Sequence, residues 1–365
     1  MILRHGTRRI ALPPDPVTAE VAGQFSIAPL GRFPPGIGLR FGGVSSLSAI
    51  PGGHEMIGVS DDRTGSRAYR FNLSGSGASF QVTPTNVIPF ERPGNDAFLV
   101  DPEGLVVAPD GHLIVSCEGL GQVEPRIPPS ILEFGARGEY LRRIAVADRF
   151  VPNPAGPQTK GVRPNFGFEA LTLTPDGSRL FTAAENAIIQ DGEMTTGEHG
   201  AVTRLLEYRR HGDTYVPHKE FIYPMEAVFR PPFQVGLAVH GLVELIALGG
   251  GRLLSMERTY VEASGTGRGV NRIRLFRIDL AGATDVSTIE SLKDATGLVP
   301  VTKTPFLDLS NLAGLSPDLG TALDNFEGMA FGPPLPDGRP SLVLVSDDNF
   351  NPNQRTWFLM LGIGR

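Results

Sequence analysis

One hairpin-length pattern recurs along the chain and constrains the fold more than any other feature. DPEGLVVAPDGHLIVSCEG (Asp101 to Gly119), FEALTLTPDGSRLFTAAEN (Phe168 to Asn186) and, more loosely, GLVELIALGGGRLLSMER (Gly241 to Arg258) share it. NFEGMAFGPPLPDGRPSLVLVSDDN (Asn325 to Asn349) repeats it with a longer turn, and GGVSSLSAIPGGHEMIGVSDDR (Gly42 to Arg63) is a fifth copy. Each copy is an apolar strand, a Pro-Asp-Gly or Gly-Gly turn and a second apolar strand. Proline presets the first turn angle and glycine takes the left-handed position, so each copy is predicted to be a β-hairpin.

Further strand candidates lie between the copies: AYRFNLSG and SFQVTPTNVIPF, SILEFGARG and EYLRRIAVA, TRLLEYRRHGDTYVPHKEFIYP, and NRIRLFRIDL with VTKTPFLDLS. Units of about four strands are the composition of a propeller blade. The chain therefore reads as all-β, a β-propeller of five blades by repeat count. The copies are spaced more widely than compact blade repeats of about 40 to 50 residues, so a sixth blade within Glu262 to Ser310 is an open alternative. After the fifth hairpin only TWFLMLGIG remains. The N-terminal stretch QFSIAPLGRF is expected to supply the missing outer strand and so remove an open sheet edge. Residues 1–365 read as one propeller domain, with 1–20 an extended or disordered lead-in. Two proline- and glycine-rich stretches, Val151 to Phe166 and Tyr260 to Val270, read as loops over one face.

Composition agrees. The 365 residues include 45 glycines and 32 prolines with only 20% charged residues, a mix suited to short strands and tight turns rather than long helices. A net charge of -6 and no run of lysine and arginine leave no field for nucleic acid. Cys117 is the single cysteine, which excludes a disulfide framework and a cysteine zinc site and suggests an inert core thiol. No apolar run reaches the roughly 18 residues of a membrane span. MILRHGTRRIALPPDP lacks an apolar stretch long enough for a signal peptide.

In a propeller the first strand of each blade lines the central channel and the second returns beside it. The start of one and the end of the other share a face. Glu103, Glu169, Glu244 and Glu327 stand at the starts, with Ser45 or Ser46 in the first copy. Glu118, Glu185, Glu257 and the pairs Asp61–Asp62 and Asp347–Asp348 stand at the ends. Most of these acids are expected around one channel mouth.

Carboxylates held so close repel one another, and some stay protonated at neutral pH unless cations sit among them. An all-oxygen set without cysteine favours a hard cation, calcium before another divalent ion, and disfavours zinc. The candidate metal ligands are Asp61, Glu103, Glu118, Glu169, Glu185, Glu244, Glu257, Glu327, Asp347 and Asp348. A single blade-edge glutamate can equally accept backbone hydrogen bonds or pair with an arginine, and Arg63 and Arg258 directly follow two of the end positions. Glu169 is also a candidate catalytic carboxylate and His240 a candidate acid or base. Lys160, Arg163 and Arg355 are candidates to bind an anionic small-molecule substrate. The G-x-S-x-G, H-E-x-x-H, P-loop and G-x-G-x-x-G signatures are absent.

These hairpins, together with NFGFEALTLTPDGSRLF, RLLEYR, LLSMERTY, NRIRLFRIDL and DNFEGMAFGP, resemble the phytase-like family of bacterial proteins described as having esterase-like activity of phytase. The resemblance runs from about Phe41 to Phe358. It implies a β-propeller, usually exported to the periplasm or medium, and hydrolysis of phosphate esters. Without a visible signal peptide, a cytoplasmic address stays open. The chain is then expected to be a metal-dependent phosphoesterase. Alternatives are a calcium-dependent lactonase or esterase and a non-catalytic ligand- or protein-binding propeller.

Overall fold

The computed structural model describes residues 12, 17–27, 40–50, 54–91, 101–231, 233, 235–264, 268–313, 315 and 323–364. Strand β1 (Thr18–Ile27) opens the chain and joins the last sheet. Blade one comprises β2 (Ser48–Ala49), β3 (Glu55–Ser60), β4 (Arg67–Ser74) and β5 (Gln81–Pro89). Blade two has β6 (Pro102–Val107), β7 (Leu113–Cys117), β8 (Ser130–Phe134) and β9 (Tyr140–Ile144). Blade three has β10 (Phe168–Leu173), β11 (Arg179–Ala184), β12 (Val202–His211) and β13 (Thr214–Pro224). Blade four has β14 (Val235–Gly249), β15 (Arg252–Ala263), β16 (Arg268–Asp279) and β17 (Thr302–Asp308). Blade five is β18 (Phe326–Phe331), β19 (Ser341–Ser346) and β20 (Thr356–Gly364), with β1 as its outer strand.

All five sheets are four-stranded and antiparallel. The innermost strands touch in sequence around a ring, β2 to β6, β6 to β10, β10 to β14, β14 to β18 and β18 back to β2. The molecule is a five-bladed β-propeller. β1 pairs along β20 from Thr18 opposite Gly364 to Ile27 opposite Thr356, so an N-terminal strand closes the fifth blade. It begins earlier than the sequence suggests. Of QFSIAPLGRF, only Gln24 to Ile27 lie in the strand, and the remainder lies outside the described residues.

Two expectations need correction. Glu262 to Ser310 holds no sixth blade, because it completes the fourth with the end of β15, β16 and β17. Tyr260 to Val270 is not a loop over the face. β15 runs on to Ala263 and β16 starts at Arg268, paired from Tyr260 opposite Asn271 to Ala263 opposite Arg268. Tyrosine and valine favour the pleated ladder.

The Pro-Asp-Gly turns form as expected. The Gly111 N–H donates to Ala108 O at 2.9 Å and the Gly177 N–H to Thr174 O at 2.7 Å. Both glycines have positive φ, 89° and 66°, a region costly for other residues. The core lies between blades. One buried cluster joins Ile57, Val59 and Ala68 to Leu105, Val115 and Phe134, with Cys117 among them. Four similar clusters sit at the other junctions and complete the ring. Among the described residues no helix is long and apolar enough to cross a membrane.

Candidate active site

Strand register decides which side chains reach the channel mouth. Just past each second strand, a backbone N–H donates to the residue that enters the first strand: Asp61 to Gly43 O at 2.9 Å, Glu118 to Asp101 O at 2.8 Å, Glu185 to Gly167 O at 2.8 Å and Asp347 to Asn325 O at 2.9 Å. In blade four the corresponding pair is Gly241 opposite Arg258. Asp61, Glu118, Glu185, Arg258 and Asp347 all line one cavity of about 1330 Å³. The ring position thus holds four acids and one arginine.

A second tier comes from β-bulges, which insert one unpaired residue and re-aim a side chain. The register shifts between Pro102 and Gly104, Phe168 and Leu171, and Phe326 and Gly328. Glu103, Glu169 and Glu327 fall inside these shifts and line the cavity. In β14 the shift lies between Leu242 and Glu244, so Val243 takes the bulge. Glu244 is displaced by one residue. It is buried away from the cavity, where the Leu245 N–H donates to its Oε1 at 2.9 Å.

Glycines at the entries to blades three and four let Glu118 and Glu185 lean over them. A Cβ on Gly241 would lie 2.0 Å from Glu185 Oε1, and one on Gly167 would lie 2.5 Å from Glu118 Cγ. Gly241 and Gly167 belong to the blades that follow Glu185 and Glu118, so the carboxylates bridge blades.

Nine carboxylates but only three arginines line the cavity among the described residues. Burial and mutual repulsion among neighbouring carboxylates raise Asp61 to about 7. Burial raises Glu185 to about 7 as well, although Arg258 pulls against it. Burial and like charge hold Glu103, Glu118, Glu169 and Asp347 well above the ordinary carboxylate range, and Glu327 is raised for the same first reason. Arg258 pairs with Glu327 at 3.1 Å and Glu185 at 3.4 Å and donates to Asn325. Arg63, half exposed at the rim, pairs with Asp101. Arg355, on the fifth blade, is exposed and lines the cavity.

Not every predicted residue reaches this mouth. Asp61, Glu103, Glu118, Glu169, Glu185, Glu327, Asp347 and Arg355 do. Glu257 does not: burial raises its carboxyl, but hydrogen bonds and charge from His240 and Lys303 outweigh this and hold it below its usual value. His240 is locked in the same buried network, 3.0 Å from Glu257 and 2.6 Å from Thr259 Oγ1. Asp348 points into the fifth blade's loop, accepting from the N–H groups of Gly43 (2.9 Å) and Phe350 (3.0 Å) and from Thr356 Oγ1 (3.1 Å). Lys160 pairs with Asp148. Arg163 donates to the carbonyls of Ala187 (3.0 Å) and Gly192 (2.6 Å). Neither lines the cavity.

The sequence reading missed Asp101 and Asp324 and treated Arg258 only as a partner. Asp101 adopts φ 56°, and with Asn165 (57°) and Asn349 (47°) it makes three of the four described non-glycine residues with positive φ lining this cavity. Such strain gathers where the surrounding structure over-determines a functional geometry. Its sequence signal is faint: Asp and Asn tolerate this region better than other residues.

The donor set suits a hard cation. Asp61, Asp101 and Glu103 each offer an oxygen within 4.8 Å of the others, and Glu118, Glu169 and Glu185 form a second such group. Asp61 Oδ1 is buried without a hydrogen-bond partner, which leaves it free to ligate. Carboxylate oxygens alone match calcium in preference to softer metals.

A family model described as phytase-like, esterase-like activity of phytase, matches residues 39–350. A protein described as an uncharacterized secreted protein of Arthroderma benhamiae is 25% identical over 207 residues, covering 51% of this chain and 38% of its own length. Among solved structures, an endo-arabinase from Bacteroides thetaiotaomicron superposes with a TM-score of 0.42 at 12% identity over 93% of this chain and 98% of that one. A gluconolactonase from Xanthomonas campestris gives 0.36 at 12% identity over 97% and 98%.

Proposed function

The chain belongs to the phytase-like family, and on that premise we propose that it is a hydrolase of phosphate esters working at the carboxylate mouth with bound calcium. The observation that carries this reading is the convergence of Asp61, Asp101 and Glu103 on one side and Glu118, Glu169 and Glu185 on the other, each group within reach of one ion. A cation held there would neutralise an ester's oxygen and lower the pKa of a bound water.

The chain's own residues define the rest. Both acid groups would hold the cation as carboxylates, giving up the protons that burial and repulsion otherwise keep on them. Arg258, fixed by Glu185 and Glu327, presents a guanidinium whose Nε has no hydrogen-bond partner. It is positioned to meet an anionic oxygen that gains charge during reaction. Arg63 and Arg355 hold the substrate's anionic group at the rim. Three arginines against nine carboxylates suit a single phosphate better than a polyphosphate. Export from the cytoplasm accords with calcium as the cofactor and with the secreted description of the fungal relative.

Purified protein assayed on phosphate monoesters, phosphate diesters and lactones, with calcium and with chelator, tests the reading. Calcium-dependent turnover of a phosphate ester is expected, and Glu169→Gln should lower kcat by about a hundredfold or more while the fold is retained. Turnover of lactones alone would transfer the site to carbonyl chemistry, and no chelator-sensitive turnover would remove the hydrolase reading.

A further inference from the structure

The fourth blade builds one wall of the mouth unlike the rest. β14 spans 15 residues and β15 spans 12, whereas no first or second strand of another blade exceeds six. Their pairing continues past Gly241 opposite Arg258, through Val239 opposite Tyr260, to Val235 opposite Ala263. The extra length therefore rises beyond the ring of acids.

Val239 pairs with Tyr260, and the register shifts between Val235 and Ala238, so Leu237 falls inside a further bulge. Leu237 and Val239 line the cavity with Tyr260. Leu237 is 56% exposed and Val235 41%, the only neighbouring pair among the described exposed large hydrophobics. Gly269 makes room for the Tyr260 ring, since a Cβ there would sit 2.4 Å from it. Phe166, at the entry to blade three, also lines the cavity. The rim contributed by blades five and one is different: Asn349, Asn351, Asn353, Arg355 and Arg63 are polar.

Resting on the ester-hydrolase reading, we propose that the mouth selects esters with one anionic end and one apolar end. The wall of Leu237, Val239 and Tyr260 binds the apolar alcohol portion while the cation-bearing floor and arginines take the anionic group. A fully polar substrate such as a sugar phosphate or an inositol polyphosphate would leave that wall in water. Continuity with the acid ring argues for substrate as the occupant, because the wall descends directly to Arg258.

The test uses calcium-loaded full-length protein and a series of methyl, ethyl, propyl and butyl phosphate. kcat/KM should rise about fourfold per methylene while the chain still finds the wall, and glycerol phosphate should fall near the methyl ester. Leu237→Ser and Val239→Ser should collapse the butyl-to-methyl ratio toward one. Calorimetry with methylphosphonate and butylphosphonate, which cannot be hydrolysed, reads binding without turnover. Turnover that ignores chain length overturns the wall while leaving the hydrolase reading intact. A chain-length gain in phosphonate binding, lost in Leu237→Ser, supports the wall even if no ester is turned over, an outcome that removes only the hydrolase reading. Failure to bind or turn over any member overturns both.

Discussion

Arg258 does at the mouth what its four ring counterparts cannot: it supplies positive charge among acids that burial has pushed toward neutrality. Arg258→Met should destabilise metal-free protein by about 3 kcal/mol, because removing one partner of a buried pair leaves the other uncompensated. Calcium should then raise the melting temperature by more in the variant than in the parent, as measured by differential scanning calorimetry. The ring acids also set a pH dependence. Asp61 and Glu185 are raised to about 7 in the folded protein, so between the ordinary carboxylate range and about 7 the folded chain holds more protons than the unfolded one. Their stabilisation is complete below the ordinary range and is lost as pH rises through about 7. Lowered groups such as Asp62 and Asp176, each at about 2, act below this window, with the opposite sign. Chelator-treated protein should therefore melt higher at pH 5 than at pH 8, and calcium should flatten the difference. Individual residues were legible in sequence where the repeat was clean, as for Glu103 and Glu118. They were not in blade four, where SMER resembles SCEG and points to Glu257. The pairing of Leu242 with Glu257 instead puts Arg258 at the ring.

Bulges and strand ends explain most of what the sequence concealed at the level of elements. The hairpins themselves were readable because alternation and Pro-Asp-Gly turns agree locally with the global fold. A bulge of one residue leaves no compositional trace, yet it decides whether Glu327 enters the mouth or, as with Glu244, stays below it. The far end of β15 and the start of β16 were hidden for a different reason: the glycine-rich sequence between them reads as a long loop. β1 was legible from a deficit, since the fifth blade lacked an outer strand. Its apolar residues Val21 and Ala19 pack with Leu361 and Ile363, while Phe25 and Ile27 join the cluster shared by blades five and one. Removing residues through Ile27 should expose the edge of β20, lower the melting temperature and produce concentration-dependent association. Light scattering against the full chain measures it, and an unaltered monomer with unaltered melting would contradict that role for β1.

Across the whole molecule, closure makes the site. Five blades each deliver one side chain to the ring, and no acid group belongs to a single blade: Asp61 meets Asp101 and Glu103 of the next, and Glu118 meets Glu169 and Glu185. A cation there would tie neighbouring blades together and offset a repulsion that the ring itself creates. Calorimetric titration of calcium into chelator-treated protein measures this most directly, with a Glu118→Gln/Glu169→Gln variant of verified fold beside it. Heat of binding with at least one ion per chain, lost or strongly weakened in the variant, is the expected result. No calcium binding by the parent chain, or equal binding by the variant, would contradict a metal-holding mouth.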